Sequence, residues 1–240
     1  MSLVPAATEW LTVLGADDLL VGRTAACIVP AAHPVPVVEG HQVAPLAPSV
    51  VIYPSAPLSP HGEAIQMTWA PRTMRTMLTQ VLHLARHVGR LKEAMQWIGQ
   101  AEATLHQAQR LRGVHKRMAS EDRPRVAVQA PWTQEAAPPW LSDLIDLAGG
   151  QAVQDLETAV EVVVLLDAGV SAQEQAAAWT GAEGAAGPTE RPPVVLGLNG
   201  HGPFHRAGPR LYEATQALLA ALHPHESEAE EAWRPFVVRV

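Results

Sequence analysis

The sequence predicts an α/β protein of two parallel-sheet lobes joined by a single long helix, and three observations carry that prediction. Short apolar runs at 19–22, 35–38, 50–53 and 65–69 are separated by proline-rich turns that cannot continue a ladder. Runs that are apolar on both faces are the pattern of strands buried in a parallel sheet. From 72 to about 119 the apolar spacing becomes helical, and after Ser-Glu-Asp-Arg-Pro at 120–124 the strand and helix alternation restarts. One domain of strands and helices, a helical passage and a second such domain follow from that order.

Each element has its own signal. Ser2-Leu3-Val4-Pro5 reads as a short strand running into a helix, with Thr8, Leu11, Val13 and Leu14 on one side, Thr8 or a neighbour as cap, and Gly15 as the stop. In the helical passage Met74, Met77, Leu78, Val81, Ala85 and Val88 precede Leu91, Met95, Ile98, Leu105, Ala108 and Leu111, with breaks at Gly89 and Gly113. The three methionines Met74, Met77 and Met95 read as packing residues. A helix over 91–112 is ~33 Å long, enough to pass from one lobe to the other. The second lobe then has a strand at 125–129, a loop at 130–139, a helix at 140–148 and the stop Gly149-Gly150. Strands at 160–166 and 194–198, helices at 171–180 and 209–222, and a surface loop at 181–193 complete it, with Pro209 suited to a first helical turn. The acidic run after 223 and the apolar end at 234–240 suggest a tail strand added to a sheet edge. The division expected is therefore a first lobe at 1–90, the linking helix at 91–119, a second lobe at 120–223 and a tail at 224–240.

Composition narrows the function. With 48% apolar and 17% charged residues the 240-residue chain buries a substantial core, and 17 glycines and 21 prolines fall short of low-complexity sequence. A formal charge of −7 with no basic stripe evident in the sequence argues against nucleic acid. The single cysteine, Cys27, excludes a disulfide framework or a multi-cysteine cluster within the chain and reads as a small packing residue. No apolar run is long enough for a membrane helix, and no signal peptide is evident, so the chain as written reads as cytoplasmic, or extracytoplasmic if translation starts upstream.

Three segments together resemble the vitamin B12-type substrate-binding proteins of ABC importers. Ser2-Leu-Val-Pro-Ala-Ala-Thr-Glu-Trp-Leu with Leu14-Gly15 and Leu20-Val21-Gly22 is similar to that family's opening strand, its helix start and its Leu-Val-Gly strand. Arg125-Val-Ala-Val-Gln with the helix ending in Gly149-Gly150 resembles the start of its second lobe. Phe204-His-Arg-Ala-Gly-Pro-Arg-Leu211 resembles the signature that enters its last helix. The resemblance implies a class III periplasmic-binding-protein fold that holds cobalamin, or a heme-like flat metal chelate, between the lobes without catalysis. An ABC permease is the implied partner.

Ligands of open α/β sheets bind beyond the carboxyl ends of the strands. That rule and the resemblance select Ala6, Thr8, Thr24, Tyr53, Trp132, Phe204, His205 and Arg206 as ligand-binding residues. Where the family carries a polar and aromatic stretch, Ala25-Ala26-Cys27-Ile28-Val29-Pro30 stands here, so cobalamin is expected to bind more weakly than in transport members. The acids with which the family meets its permease are replaced by His41 and Val153, with Glu39, Asp155 and Glu157 as neighbours. That loss supports an alternative, a cytoplasmic sensor, carrier or protein-interaction module descended from the importers. A second alternative is a metal-dependent enzyme using His201 and His205, with His33 and His41 in the other lobe. His83 and His87, at i and i+4, have chelating spacing and no third ligand near them in sequence. No Gly-x-Ser-x-Gly elbow, Walker loop or dinucleotide fingerprint is present, so neither catalytic residues nor a resident cofactor is assigned.

Overall fold

A computed structural model describes residues 1–27, 34–38, 46–54, 63–114, 123–130, 137–153, 160–167, 169–179, 194–200, 203–224 and 237–239. They divide into two compact units: Met1–Gln100 with Arg206–Pro209, and Ala101–His205 with Arg210–Val240. The boundary at Gln100 falls inside the helix α3 (Leu91–Leu111).

The first unit carries two regular parallel strands, β1 (Val50–Tyr53) and β2 (Ile65–Thr68), in the register Val50 to Ile65. Single parallel bridges extend them: Ser2 pairs with both Ile52 and Arg23, and Arg23 pairs with Val37. The lateral order is Val37, Arg23, Ser2, β1, β2, the doubly wound order in which the chain starts at the centre, builds one side and then crosses to the other. The expected strand at 19–22 is instead a 3₁₀ turn (Asp17–Leu19) with the bridge displaced to Arg23, because the Leu19 and Leu20 amides donate back to Ala16 and Asp17 and so leave the ladder.

Helix α1 (Pro5–Val13) begins with Pro5 at its first position and Val4 as the residue before it, so Thr8 does not cap it. Thr8 lies one turn in, where its Oγ1 donates to the Val4 carbonyl at 3.1 Å. The stop is the expected one: Gly15 at φ +64° donates to Thr12 while Ala16 donates to Leu11, closing the orphan carbonyls. Helix α2 (Met74–His87) opens with a reciprocal Thr73 and Thr76 capping box and ends the same way at Gly89, with φ +69°. Met74 and Met77 are buried as expected, whereas Met95 on α3 is 62% exposed, since that helix turns little surface into either core.

In the second unit β3 (Arg125–Gln129), β4 (Gln151–Val153), β5 (Val162–Leu165) and β6 (Val194–Leu198) are parallel, and β7 (Val237–Arg239) is an antiparallel edge, in the order β4, β3, β5, β6, β7. The tail strand is therefore present, and β4, unmarked in the sequence, follows directly from the Gly149-Gly150 stop of α4 (Leu141–Leu147). Val163, Val164, Leu165, Leu196 and Leu198 are all inaccessible, and burying each such side chain contributes about 1.5–3 kcal/mol. Helix α5 (Ala172–Trp179) carries a Ser171 and Glu174 capping box. Helix α6 (Leu211–Leu222) starts two residues after Pro209, which occupies the preceding turn, not the first turn of the helix.

Glycine substitutions separate conformation from space. A Cβ on Gly89 meets nothing within 4 Å, so Gly89→Ala costs only the left-handed backbone, ~1–2 kcal/mol. A Cβ on Gly200 falls on the Asp167 carbonyl oxygen, so Gly200→Ala is expected to destabilise more than Gly89→Ala in urea titrations.

Candidate functional site

In each unit the strand order reverses at one place, and the carboxyl ends flanking that reversal are where a doubly wound sheet opens a crevice. In the first unit the reversal lies between Ser2 and β1, so the flanking residues are Leu3 to Ala6 and Tyr53 with Pro54. In the second it lies between β3 and β5, flanked by Gln129 with Ala130 and by Leu166 with Asp167.

The first-unit end is fixed by side chains that bond to backbone. Ser2 Oγ donates to the Val4 carbonyl at 3.0 Å, and Cys27 Sγ lies 3.8 Å from the Ser2 carbonyl. Thr24 Oγ1 is 3.2 Å from Cys27 Sγ, while Arg23 Nη1 donates to the Cys27 carbonyl at 2.7 Å. The turn 24–27 is thus folded over the end of the Ser2 strand, with Ala25 and Ala26 exposed and Cys27 buried as packing. Tyr53 closes an apolar cluster with Met1, Val38 and Val51 and is 7% exposed. Burial pushes its phenol pKa up, because the phenolate loses hydration. Arg206 belongs to this unit, with Nη1 3.4 Å from Glu9 Oε1, and Trp10 Nε1 donates to the Ala207 carbonyl at 3.2 Å.

The second-unit end rests on Gln175, which is fully buried on α5. Its Nε2 donates to Leu198 at 2.6 Å and to Val170 at 3.2 Å, and its Oε1 accepts from the Asp167 amide at 3.1 Å. One amide therefore braces the loops after β5 and β6. Phe204 is fully buried and its carbonyl accepts from Trp140 Nε1 at 3.1 Å, whereas His205 is half-buried.

Of the residues selected from sequence, Ala6, Thr8, Thr24, Tyr53 and Arg206 fall in the first unit and Phe204 and His205 in the second. Trp132 and His201, like His33, His41, Glu39, Asp155 and Glu157, lie outside the described residues. Among the described residues no group of three or more His, Cys, Asp or Glu is placed to hold a metal ion. His83 and His87 sit edge to face at 5.9 Å without a third ligand among them. Sequence reading passed over Glu9 and Gln175. The first meets a partner 197 positions away, and a lone glutamine in an alanine-rich helix carries no local signal.

A cavity of about 230 Å³ in the first unit lies elsewhere, lined by Leu11, Ala16, Leu20, Val50, Leu84 and Val88 among others. These are the amino end of β1 and the carboxyl-terminal parts of α1 and α2, the end opposite Tyr53.

No protein-family model matches the chain, and no curated protein matches it. Solved structures do. The periplasmic heme-binding protein HutB of Vibrio cholerae superposes with a TM-score of 0.69 at 15% identity, over 93% of this chain and 98% of that one. A periplasmic heme-binding protein from Pseudomonas aeruginosa gives 0.63 at 19% identity, over 93% and 91%. RhuT from Roseiflexus sp. RS-1, also a periplasmic heme-binding protein, gives 0.59 at 17%, over 97% of each. The fold is that of the class III periplasmic binding proteins.

Two measurements test the bracing. Gln175→Ala leaves three backbone groups without their side-chain partner and is expected to cost ~1–3 kcal/mol or more of unfolding free energy, whereas Arg206→Ala, breaking a half-exposed ion pair, costs at most ~1 kcal/mol. Equal losses in urea titration would show that the Gln175 bracket carries no special weight. The second measurement is tyrosine titration. Burial, and secondarily the Glu102 carboxylate, pushes Tyr212 up to about 12, and Tyr53 is raised as well. These are the chain's 2 tyrosines, so native phenolate absorbance should develop at higher pH than in the urea-unfolded chain. The linked stability is complete below the unfolded tyrosine value near 10 and is lost as pH rises from there through about 12.

Proposed function

We propose that the chain is a non-catalytic binding protein for a planar metal chelate, heme in the first instance, and that it works with an ABC importer. The observation that carries this reading is the fold, shared over 93% of the chain or more with proteins named for heme binding. Cobalamin, implied by the sequence resemblance, is the second chelate. The ligand-facing turn supports the order of preference, since Ala25 and Ala26 offer neither stacking surface nor hydrogen bonds to a ligand rich in amides.

From this chain an iron or cobalt ligand would come from Tyr53 in the first unit or from His205 in the second. Ala6, Thr24 and Arg206 are further candidate contacts to the chelate in the first unit and Trp132 in the second, whereas Thr8 and Phe204 are fully buried. Tyr53 ligates metal as phenolate. Because burial raises its pKa, metal binding must displace the phenolic proton. Heme affinity carried by Tyr53 therefore rises with pH, by up to about tenfold per unit below the phenol pKa.

The test is titration of the purified chain with hemin, and separately with cobalamin, read by visible absorption. A saturable change at one chelate per chain, weakened by Tyr53→Phe or His205→Ala and strengthened by raising the pH, is the expected result for heme. Absence of a saturable change with either chelate overturns the reading. Saturation that neither variant alters would retain the chelate and remove both residues from it.

A further inference from the structure

Helical register corrects the expectation that the chain has no basic stripe: one helix face carries basic side chains with no acid among them. Between Glu63 and Glu93 the sequence holds no acid, while it holds Arg72, Arg75, Arg86, Arg90 and Lys92 with His83 and His87, in a molecule of net charge −7. At 100° per residue, Arg72, Arg75, Thr76, Thr79, His83, Arg86, His87 and Arg90 share one sector of α2 and its flanks. All but Arg90 are exposed. Among the described residues no carboxylate pairs with Arg72, Arg75 or Arg86, although Arg123, Arg206 and Arg210 each have an acidic partner. Arg90 marks the end of the stripe, its Nε donating to the Gly15 carbonyl at 3.2 Å, with Asp17 and Asp18 just beyond.

That end of the stripe meets a different surface. His87 and Val88 line the cavity at the amino end of β1, together with Leu19 and Val21, which are 49% and 41% exposed. A cationic row ~20 Å or more long therefore runs into exposed aliphatic side chains around an apolar cavity of about 230 Å³. An apolar cavity of ~150 Å³ suffices to take up benzene. Charge alone would suit any polyanion. The aliphatic patch and cavity add nothing for a nucleic acid, whose bases ask for aromatic side chains to stack on, but they match the acyl region beneath a layer of charged headgroups.

We infer that the outer face of α2 and the Leu19 and Val21 patch form a docking surface for a membrane rich in anionic lipids. Arginine side chains meet the phosphate groups, and Leu19 and Val21 enter the headgroup boundary. Asp17 and Asp18 border the Leu19 end of this surface and oppose binding there, so the attraction rests on the arginines of the α2 face. The inference is independent of what the carboxyl-end surfaces bind, because it concerns the ligand-free chain.

The experiment is cosedimentation of the full chain with phosphatidylcholine vesicles, with and without phosphatidylglycerol, at low and high salt. Binding is expected only with phosphatidylglycerol and is expected to weaken as salt rises. Each basic residue near an anionic surface is worth about 1 kcal/mol, a factor of about five, so Arg75→Gln with Arg86→Gln should weaken binding about 25-fold. Arg110→Gln, an exposed charge removed from α3, should leave it unchanged, and Leu19→Ser with Val21→Ser should lower the salt-resistant remainder. Far-ultraviolet circular dichroism verifies that the surface variants remain folded. Equal binding to neutral vesicles, an unaffected Arg75 and Arg86 double variant, or tighter binding to a single-stranded oligonucleotide at equal phosphate concentration would each overturn the inference.

Discussion

The order of the first sheet depends on the hydrogen bonds of one residue. Ser2 pairs with Arg23 on one side and Ile52 on the other, and it is fully buried. Its amide donates to Gly22 at 3.0 Å, and the next amide, Leu3, donates to Ile52 at 2.9 Å. A strand this short has few ladder bonds of its own, so the side chains around it complete the fixing: Ser2 Oγ on Val4, Cys27 Sγ on the Ser2 carbonyl, Thr24 on Cys27. The crevice position in this unit follows from that residue, because the reversal of strand order lies between Ser2 and β1. The second unit reaches the same end differently. Its central strands β5 and β6 are almost wholly buried, and the loops at their carboxyl ends are tied by Gln175.

What could be seen in the sequence is what local chemistry determines. Gly15, Gly89 and Gly149 each end a helix with positive φ, and such stops are written in single residues. The strands at 125–129 and 194–198 are apolar on both faces and match the observed β3 and β6. The parallel class follows from the same fact, and the tail strand at a sheet edge from its apolar run at the chain's end, though not its antiparallel direction. Elements whose identity depends on distant partners were not visible. Three-residue β4 exists because Arg125 and its neighbours offer a paired edge. Thr8 has a capping residue's chemistry, yet Pro5 takes the first helical position and leaves Thr8 inside the helix. The helical stripe on α3 suggested a buried Met95, but a helix that passes from one unit to the next exposes positions that would be interior in a packed layer.

The same distinction applies to the candidate site. Position along the strands was readable, since carboxyl ends follow from topology, and the segment 204–206 is tied into the structure through Trp140 and Glu9. The state of each side chain was not. Phe204 is inaccessible, Tyr53 nearly so, and Arg206 has Glu9 beside it; each depends on residues far away in sequence. Gly208 shows how tight that neighbourhood is, for a Cβ there would fall 2.6 Å from Glu9 Oε2.

These burials bear on the proposed preference for heme over cobalamin. At the carboxyl ends of the first sheet Ala25, Ala26, Pro54 and Ala70 are exposed and Thr68 is an exposed polar residue beside them, while the nearby polar side chains Ser2, Thr8 and Thr24 are already bonded within the unit. A ligand edged with amides would lose water there without gaining protein partners, at ~1–3 kcal/mol for each group left unsatisfied. A porphyrin asks less: its broad faces are apolar and its polar groups are confined to two carboxylates that can stay in water. Small apolar residues then contribute through the area they cover, ~25 cal/mol per Å², and orientation is left to a metal ligand. Under the proposed function, preference between two flat chelates is set less by what the protein offers to hydrogen bond than by how little the ligand requires.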